Sequence, residues 1–179
     1  HQMRITETFD QFFPEWEPFD VAELVAEKEL PAQGTHRLRI TYQEDPETIE
    51  ILPYVKKEIQ RFALVDTGEI DYGLKWAERG FFQTFLEAHP EADEVIFVKD
   101  GKVQDCTVAN LAFLKEGIWY TPEDPLHWGT TRARLIIEEE LEETDILVEE
   151  LATYERVCLI NVFRTLSLEN SLSVAKSIL

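Results

Sequence analysis

Two tight-turn signals limit what this chain can fold into. Asp100-Gly101 stands between the apolar runs Val95–Lys99 and Val103–Val108, and Glu116-Gly117 stands between Asn110–Leu114 and Ile118–Tyr120. Such turns join antiparallel strands, because left-handed backbone at the turn matches the twist of the pair. The middle of the chain is therefore two successive hairpins. Helical patterns flank them. One runs from about Trp76 to Ala88 and stops before Pro90; another opens at Gly129-Thr130-Thr131-Arg132 and runs to about Leu141. Further on, Ile146-Leu147 is a strand candidate, Glu149–Tyr154 a short helix and Val157–Asn161 a strand. The tail from Ser167 is only weakly amphipathic.

The chain before the hairpins is of another kind. Met3, Ile5, Phe9 and Phe12-Phe13 follow helical spacing up to Pro14, and Asp20 can cap a second helix to about Lys28. His36–Tyr42 alternates Arg37, Arg39 and Thr41 with Leu38, Ile40 and Tyr42, the pattern of a half-buried strand. After the Glu44-Asp45-Pro46 turn, Thr48–Leu52 pairs back. Phe62–Val65 is a short strand. The expected organisation is a small α+β domain over residues 1–58 and a larger α/β domain over 62–179, with Pro53–Arg61 leading between them.

Charge narrows the partners. The 17 basic residues face 36 acidic ones, for a formal charge of −19. A nucleic-acid groove or an anionic membrane surface is thus excluded as the main partner, and an anionic ligand must be held by a local basic cluster. An apolar fraction of 44% supplies a core. Cys106 and Cys158 make no disulfide framework and read as reduced thiols of a cytoplasmic protein. No apolar run reaches membrane-spanning length.

Lys75, in Asp71-Tyr72-Gly73-Leu74-Lys75-Trp76-Ala77-Glu78-Arg79, has apolar neighbours in an acidic chain. An amine in apolar surroundings loses hydration, its pKa falls, and its nucleophilic form becomes accessible. The alternative is a lysine reaching into solvent from a first helical turn. Gly129-Thr130-Thr131 offers close backbone approach, two hydroxyls and the free N–H groups of a new helix, which together suit an anion; an ordinary threonine cap is the other reading. Asp105 shares a strand face with Val103 and Thr107 and so points inward, where a carboxylate needs a partner, or else it is one surface acid among many. Arg37 and Arg39 share a face and can form a fork for a carboxylate or phosphate, or simply charge a strand edge. His36, His89 and His127 have no metal-ligand spacing, and no metal is expected. Cys106 beside Asp105 reads as core, since a neighbouring carboxylate disfavours the thiolate. An amine, an acid and an anion cradle together ask for a cofactor with a carbonyl, a ring nitrogen and a phosphate, which describes pyridoxal phosphate.

Three stretches in order, K-W-A-E-R, D-E-V-I-F-V-K-D-G-K-V-Q-D-C-T-V-A-N-L-A-F and W-Y-T-P-E-D-P-L-H-W-G-T-T-R-A-R-L, resemble the class IV pyridoxal-phosphate enzymes. This group holds the branched-chain and D-amino-acid aminotransferases and aminodeoxychorismate lyase. The resemblance implies a two-domain, fold-type IV, D-amino-acid aminotransferase-like α/β architecture. It implies Lys75 as the Schiff-base lysine and α-carbon proton carrier, Asp105 as the acid at the ring nitrogen, and Thr130, Thr131, Arg4 and Asn161 around the phosphate. Arg37, Arg39, Arg79 and His127 fall near substrate or ring contacts. The implied substrate is an amino acid or an aminodeoxychorismate-like molecule, and the implied assembly a homodimer. The family's acid is usually Glu, where this chain has Asp105. The aminotransferases place Tyr where this chain has Gly80, whereas lyase-like members carry the equivalent of Arg79. The ring-packing position, usually aliphatic, is His127. The family also has a strand and a substrate loop before His1-Gln2-Met3-Arg4, so a truncated N-terminal part is expected. The expected function is a lyase-like or aminotransferase-like reaction, the alternative a non-catalytic relative that keeps the fold.

Overall fold

The computed structural model describes all residues except 69, 71 and 73, so Asp71 and Gly73 of the lysine stretch lie outside the described residues. Contacts divide the chain into two compact units, His1–Lys57 and Glu58–Leu179.

In the first unit, helix α1 (Gln2–Phe12) buries Ile5 and Phe9. Helix α2 (Val21–Ala26) starts where Asp20 Oδ1 accepts the N–H groups of Ala22 (2.6 Å) and Glu23 (3.0 Å), an N-cap that satisfies two orphan donors. Strands β1 (His36–Tyr42) and β2 (Pro46–Pro53) pair antiparallel, with Leu38 opposite Ile51 and Ile40 opposite Ile49. The Phe9 ring gathers Phe13, Phe19 and Tyr42 at centroid distances of 5.5, 6.0 and 6.1 Å, so aromatic area forms this small core.

In the second unit, β3 (Phe62–Asp66) lies parallel to β4 (Glu94–Lys99), with helix α3 (Gly80–Ala88) between them in sequence. A parallel pair requires such a crossover. β4 turns at Asp100-Gly101 into β5 (Lys102–Cys106), antiparallel, and φ there is 51° and 76°. The turn at Glu116-Gly117, with φ of 51° and 84°, joins β6 (Asn110–Lys115) to β7 (Ile118–Pro122). Both turns therefore take the left-handed backbone their sequences favour. Helix α4 (Thr130–Ile137) and β8 (Glu142–Thr144) follow. A 3₁₀ turn (Val148–Thr153), β9 (Arg156–Ile160), β10 (Ser171–Ser173) and the short α5 (Val174–Ser177) complete the unit. The strands form one sheet in the order β3-β4-β5 and another in the order β10-β9-β6-β7-β8.

Alternation along the strands builds the layers. Ile96, Val103, Leu111, Phe113, Val157 and Leu159 share one buried cluster. Val95 and Phe97 join Phe82 of α3 in a second. Ala112, Cys158 and Ile160 join Leu135 of α4 in a third. Neighbouring residues of β4, β6 and β9 thus serve opposite faces, as a strand's period of two requires. The order is helix, sheet, sheet, helix.

The strand expected at Ile146-Leu147 forms instead as β8 at Glu142–Thr144, Leu147 making only an isolated bridge to Lys102, and three boundaries also differ from the sequence pattern. Helix α3 begins at Gly80 rather than near Trp76, because Trp76 is 46% exposed and Glu78 Oε1 takes the Gly80 N–H at 2.6 Å, starting the helix there. β5 stops at Cys106, whose N–H turns back to the Ala109 carbonyl (3.1 Å). Helix α4 ends at Ile137, not Leu141, because Glu139 turns left-handed (φ 58°). The N–H groups of Glu140 and Glu139 then reach the Leu135 and Ile136 carbonyls, at 2.9 and 3.0 Å, closing the helix as a Schellman motif.

Candidate active site

Asp105 is the buried acid at the centre of the larger unit. It lies on β5, 3% exposed. Its Oδ1 accepts from Asn110 Nδ2 at 2.7 Å and its Oδ2 accepts from the His127 N–H at 2.8 Å. Burial pushes its carboxyl up to about 7, against the pull of the Asn110 and His127 donors and the charge of Arg132. Neutral donors alone and no salt bridge among the described residues leave this carboxylate short of positive charge.

Asn110, at the start of β6, completes the arrangement. Its Nδ2 also donates to the His127 carbonyl (2.8 Å), so both its hydrogens are committed. Its Oδ1 presses on Gly129, where a β-carbon would come within 1.9 Å. Gly129 has an ordinary φ of −74°, so close approach, not left-handed backbone, demands glycine here.

Gly129 is the N-cap of α4. Among the described residues no side chain caps this helix start. Its N–H groups, with half-buried Thr130 and Thr131, are thus available to an anion. Arg132, 1% exposed, holds the neighbouring chain. Its Nη2 donates to the Pro122 carbonyl (2.7 Å) and to Glu143 Oε1 (2.6 Å), and its guanidinium lies 4.9 Å from the Trp128 ring.

His127 is held by its backbone, while its ring lies 5.9 Å from that of Tyr72. The same Tyr72 ring faces Arg79, whose guanidinium is 5.7 Å away and lies 5.1 Å from the Phe82 ring. Arg79 Nη2 donates to the Thr107 carbonyl at 2.5 Å. Asn161, just past β9, donates from Nδ2 to the Val108 carbonyl (3.0 Å) and accepts the Phe163 N–H at Oδ1 (2.8 Å). Around the short link from β5 to β6 the fold therefore gathers Asp105, His127, Arg79 and Asn161, with Asn110 and Arg132 in addition.

The other candidate residues stand differently. Lys75 is exposed, as is Trp76; apolar neighbours along the chain do not bury a residue outside a regular element, so the expected drying of the amine is not seen. Arg4, Arg37 and Arg39 belong to the first unit. Arg4 sits on α1, half-buried. Arg37 and Arg39 share the exposed face of β1, and Arg39 Nη1 pairs with Glu50 Oε2 at 3.1 Å across the hairpin. Cys106 and Cys158 are buried thiols that form no disulfide among the described residues. Burial, then the charge of Glu94, pushes the Cys106 thiol far above its ordinary range, so it is a core residue and no nucleophile. No helix among the described residues is long and apolar enough to cross a membrane.

Gln104, adjacent to Asp105 on β5, lines a separate cavity of about 200 Å³ with Glu123, Asp124 and Asp145. There Lys102 Nζ pairs with Asp145 at 2.6 Å. Among the described residues no group of His, Cys, Asp or Glu is placed to hold a metal.

Sequence reasoning passed over Asn110, Gly129 as a contact, and Arg132. Arg132 left a signal: it stands three residues before the buried Leu135 on one face of α4. Asn110 left none, because its amide meets residues 5 and 17 positions away and its oxygen meets one 19 positions away.

This buried acid beside an open helix start, between two sheets, agrees with the comparisons. Residues 72–167, over half the chain, match the family model of amino-transferase class IV, and the chain belongs to that family. Its architecture is that of the fold-type IV enzymes. A protein of Haemophilus somnus 129PT, provisionally assigned as a 4-amino-4-deoxychorismate lyase, superposes with a TM-score of 0.85 at 34% identity, over 93% of this chain and 88% of that one. An uncharacterized protein of Haemophilus influenzae is 33% identical over 130 residues, 73% of this chain and 69% of its own. A hypothetical aminotransferase of Mycobacterium tuberculosis in its PLP-bound form shares the fold, with a TM-score of 0.68 at 16% identity over 90% of this chain and 70% of that one. Family and neighbours together support a pyridoxal-phosphate-dependent, aminotransferase- or lyase-like function.

Proposed function

We propose that this chain binds pyridoxal phosphate and acts on a small substrate bearing an amino group. The observation that carries this reading is Asp105, a buried carboxylate with neutral donors and no salt bridge among the described residues, its carboxyl pushed up to about 7. A protonated ring nitrogen is the cation such a site lacks.

Asp105 and the start of α4 fit the ring nitrogen and the phosphate of that group. Asp105 would face the ring nitrogen. The uncapped start of α4, with Thr130 and Thr131, would take the phosphate, where the helix dipole favours negative charge; Arg4 and Asn161 are the further phosphate candidates. Bound there, the cofactor supplies an aldehyde that condenses with amines and a ring that draws electrons from the adjoining carbon. Lys75 would hold the aldehyde carbon and then move the proton at the substrate's α-carbon. Asp105 would hold the proton at the ring nitrogen. Arg37 and Arg39 are candidates for the substrate carboxylate, and His127 for a contact near the ring. The Haemophilus somnus neighbour and Arg79, four residues after Lys75, favour a lyase over an aminotransferase. A cytoplasmic homodimer completes the reading.

The test is intact mass after incubation with pyridoxal phosphate and reduction with borohydride. Wild type is expected to gain one reduced cofactor, and Lys75→Ala none. Equal labelling of Lys75→Ala would remove the assignment. Transfer of an amino group to an added keto acid would make the enzyme an aminotransferase instead.

A further inference from the structure

We propose that Arg79 is a positioning residue: it clips the turn after β5 so that Asp105 stays seated on Asn110, rather than touching a ligand itself. The link from Asp105 to Asn110 is short, closed by the Cys106 N–H on the Ala109 carbonyl at 3.1 Å. Its two ends meet through the 2.7 Å bond from Asn110 to Asp105. Any shift of the turn therefore changes that bond. Two side chains from distant elements hold consecutive carbonyls of the turn. Arg79, at the start of α3, takes Thr107 at 2.5 Å, and Asn161, past β9, takes Val108 at 3.0 Å.

The guanidinium is itself fixed. It lies over the rings of Tyr72 and Phe82, and its Nε is buried with no acceptor among the described residues. A flat cation held over two rings with one charge-assisted bond is a rigid brace, and the enclosed Nε leaves that edge of the fork shut off from a substrate carboxylate. Arg79 also stands four residues after Lys75, so one side chain ties the lysine segment to the acid's turn. That functional meaning rests on the reading of Lys75 and Asp105 given above; the mechanical role does not.

The test uses the chain without cofactor, so failure of cofactor binding leaves it intact. Asn110 side-chain amide exchange and the Asp105 titration midpoint are followed by NMR in wild type and Arg79→Met. The groups facing that carboxyl are Asn110, the backbone N–H groups of Leu126 and His127, Cys106 and Arg132. Asn110 exchange is expected to quicken on the order of tenfold, the factor implied by losing one charge-assisted hydrogen bond. The Asp105 midpoint is expected to rise, since its Asn110 donor weakens while burial remains. Asn161→Ala, which releases the adjacent carbonyl, is expected to act the same way and serves if Arg79→Met does not fold. Unchanged exchange and an unchanged midpoint in the folded variant would overturn the proposal.

Discussion

Asn110 and Gly129 touch so closely that a β-carbon on Gly129 would stand 1.9 Å from Asn110 Oδ1. The contact ties β6 to the start of α4, and it sits beside the acid that the site is built around. Asn110 cannot step aside without cost, because both hydrogens of its amide are engaged, on Asp105 and on the His127 carbonyl.

Gly129→Ala must therefore push Asn110 off Asp105 or shift the head of α4. The expected loss is about 2–4 kcal/mol, combining overpacking with a weakened buried hydrogen bond. Chemical denaturation measures it. A loss under about 0.5 kcal/mol, the range of neutral surface changes, would mean that the contact relaxes freely.

The hairpins were legible from sequence because their turns are local: Asp100-Gly101 and Glu116-Gly117 need nothing beyond their own backbone preference. Alternation offered the inward aim of Asp105 and left a surface acid as the other reading; its 3% exposure decides between them. The start of α3 was not, because periodicity counts Trp76 as apolar whether or not anything packs on it. Nor was the Asn110–Gly129 contact, which joins residues 19 positions apart and leaves no pattern in either segment. For Lys75 the sequence left a dried amine and a solvent-facing lysine both open, and the residue is exposed.

Glu139 offers a stabilising change that touches no candidate site residue. It holds φ 58° at the residue just past α4, where glycine avoids the steric clash of a β-carbon. Glu139→Gly is expected to raise stability by about 0.5–1 kcal/mol, the left-handed penalty less the entropy glycine loses on folding. It also removes one charge from the run Glu138-Glu139-Glu140. A higher melting temperature checks it; a lower one would show that the side chain contributes something the backbone argument omits.

Arg132→Met keeps much of the apolar stem but leaves the buried Pro122 carbonyl without its donor, while the exposed Glu143 turns to water. A loss of about 1–3 kcal/mol is expected, the range for orphaning one buried polar group. A second readout separates this from simple loosening. The Arg132 charge is one of the influences holding the Asp105 carboxyl down, so its removal should move the Asp105 midpoint upward. A midpoint that does not move would mean that the two residues do not sense each other.

Asp105 makes stability depend on pH in the direction opposite to most carboxylates. Its folded midpoint, pushed to about 7 by burial, lies above the ordinary 3.8, so between these values the folded chain binds a proton that the unfolded chain has lost. The contribution of Asp105 is thus fully present below about pH 4 and is lost as pH rises through about 7, and the gap is worth on the order of 4 kcal/mol. Other carboxylates contribute their own slopes, so the informative quantity is the stability of wild type minus that of Asp105→Asn, both free of cofactor. Asparagine cannot titrate, and its amide meets two donors, Asn110 Nδ2 and the His127 N–H, which sets a constant offset but no slope. The difference should fall steadily from about pH 4 to about pH 7 and level off above about pH 8. Urea denaturation across that range measures it, and a difference independent of pH would show that Asp105 titrates alike in the folded and unfolded chains.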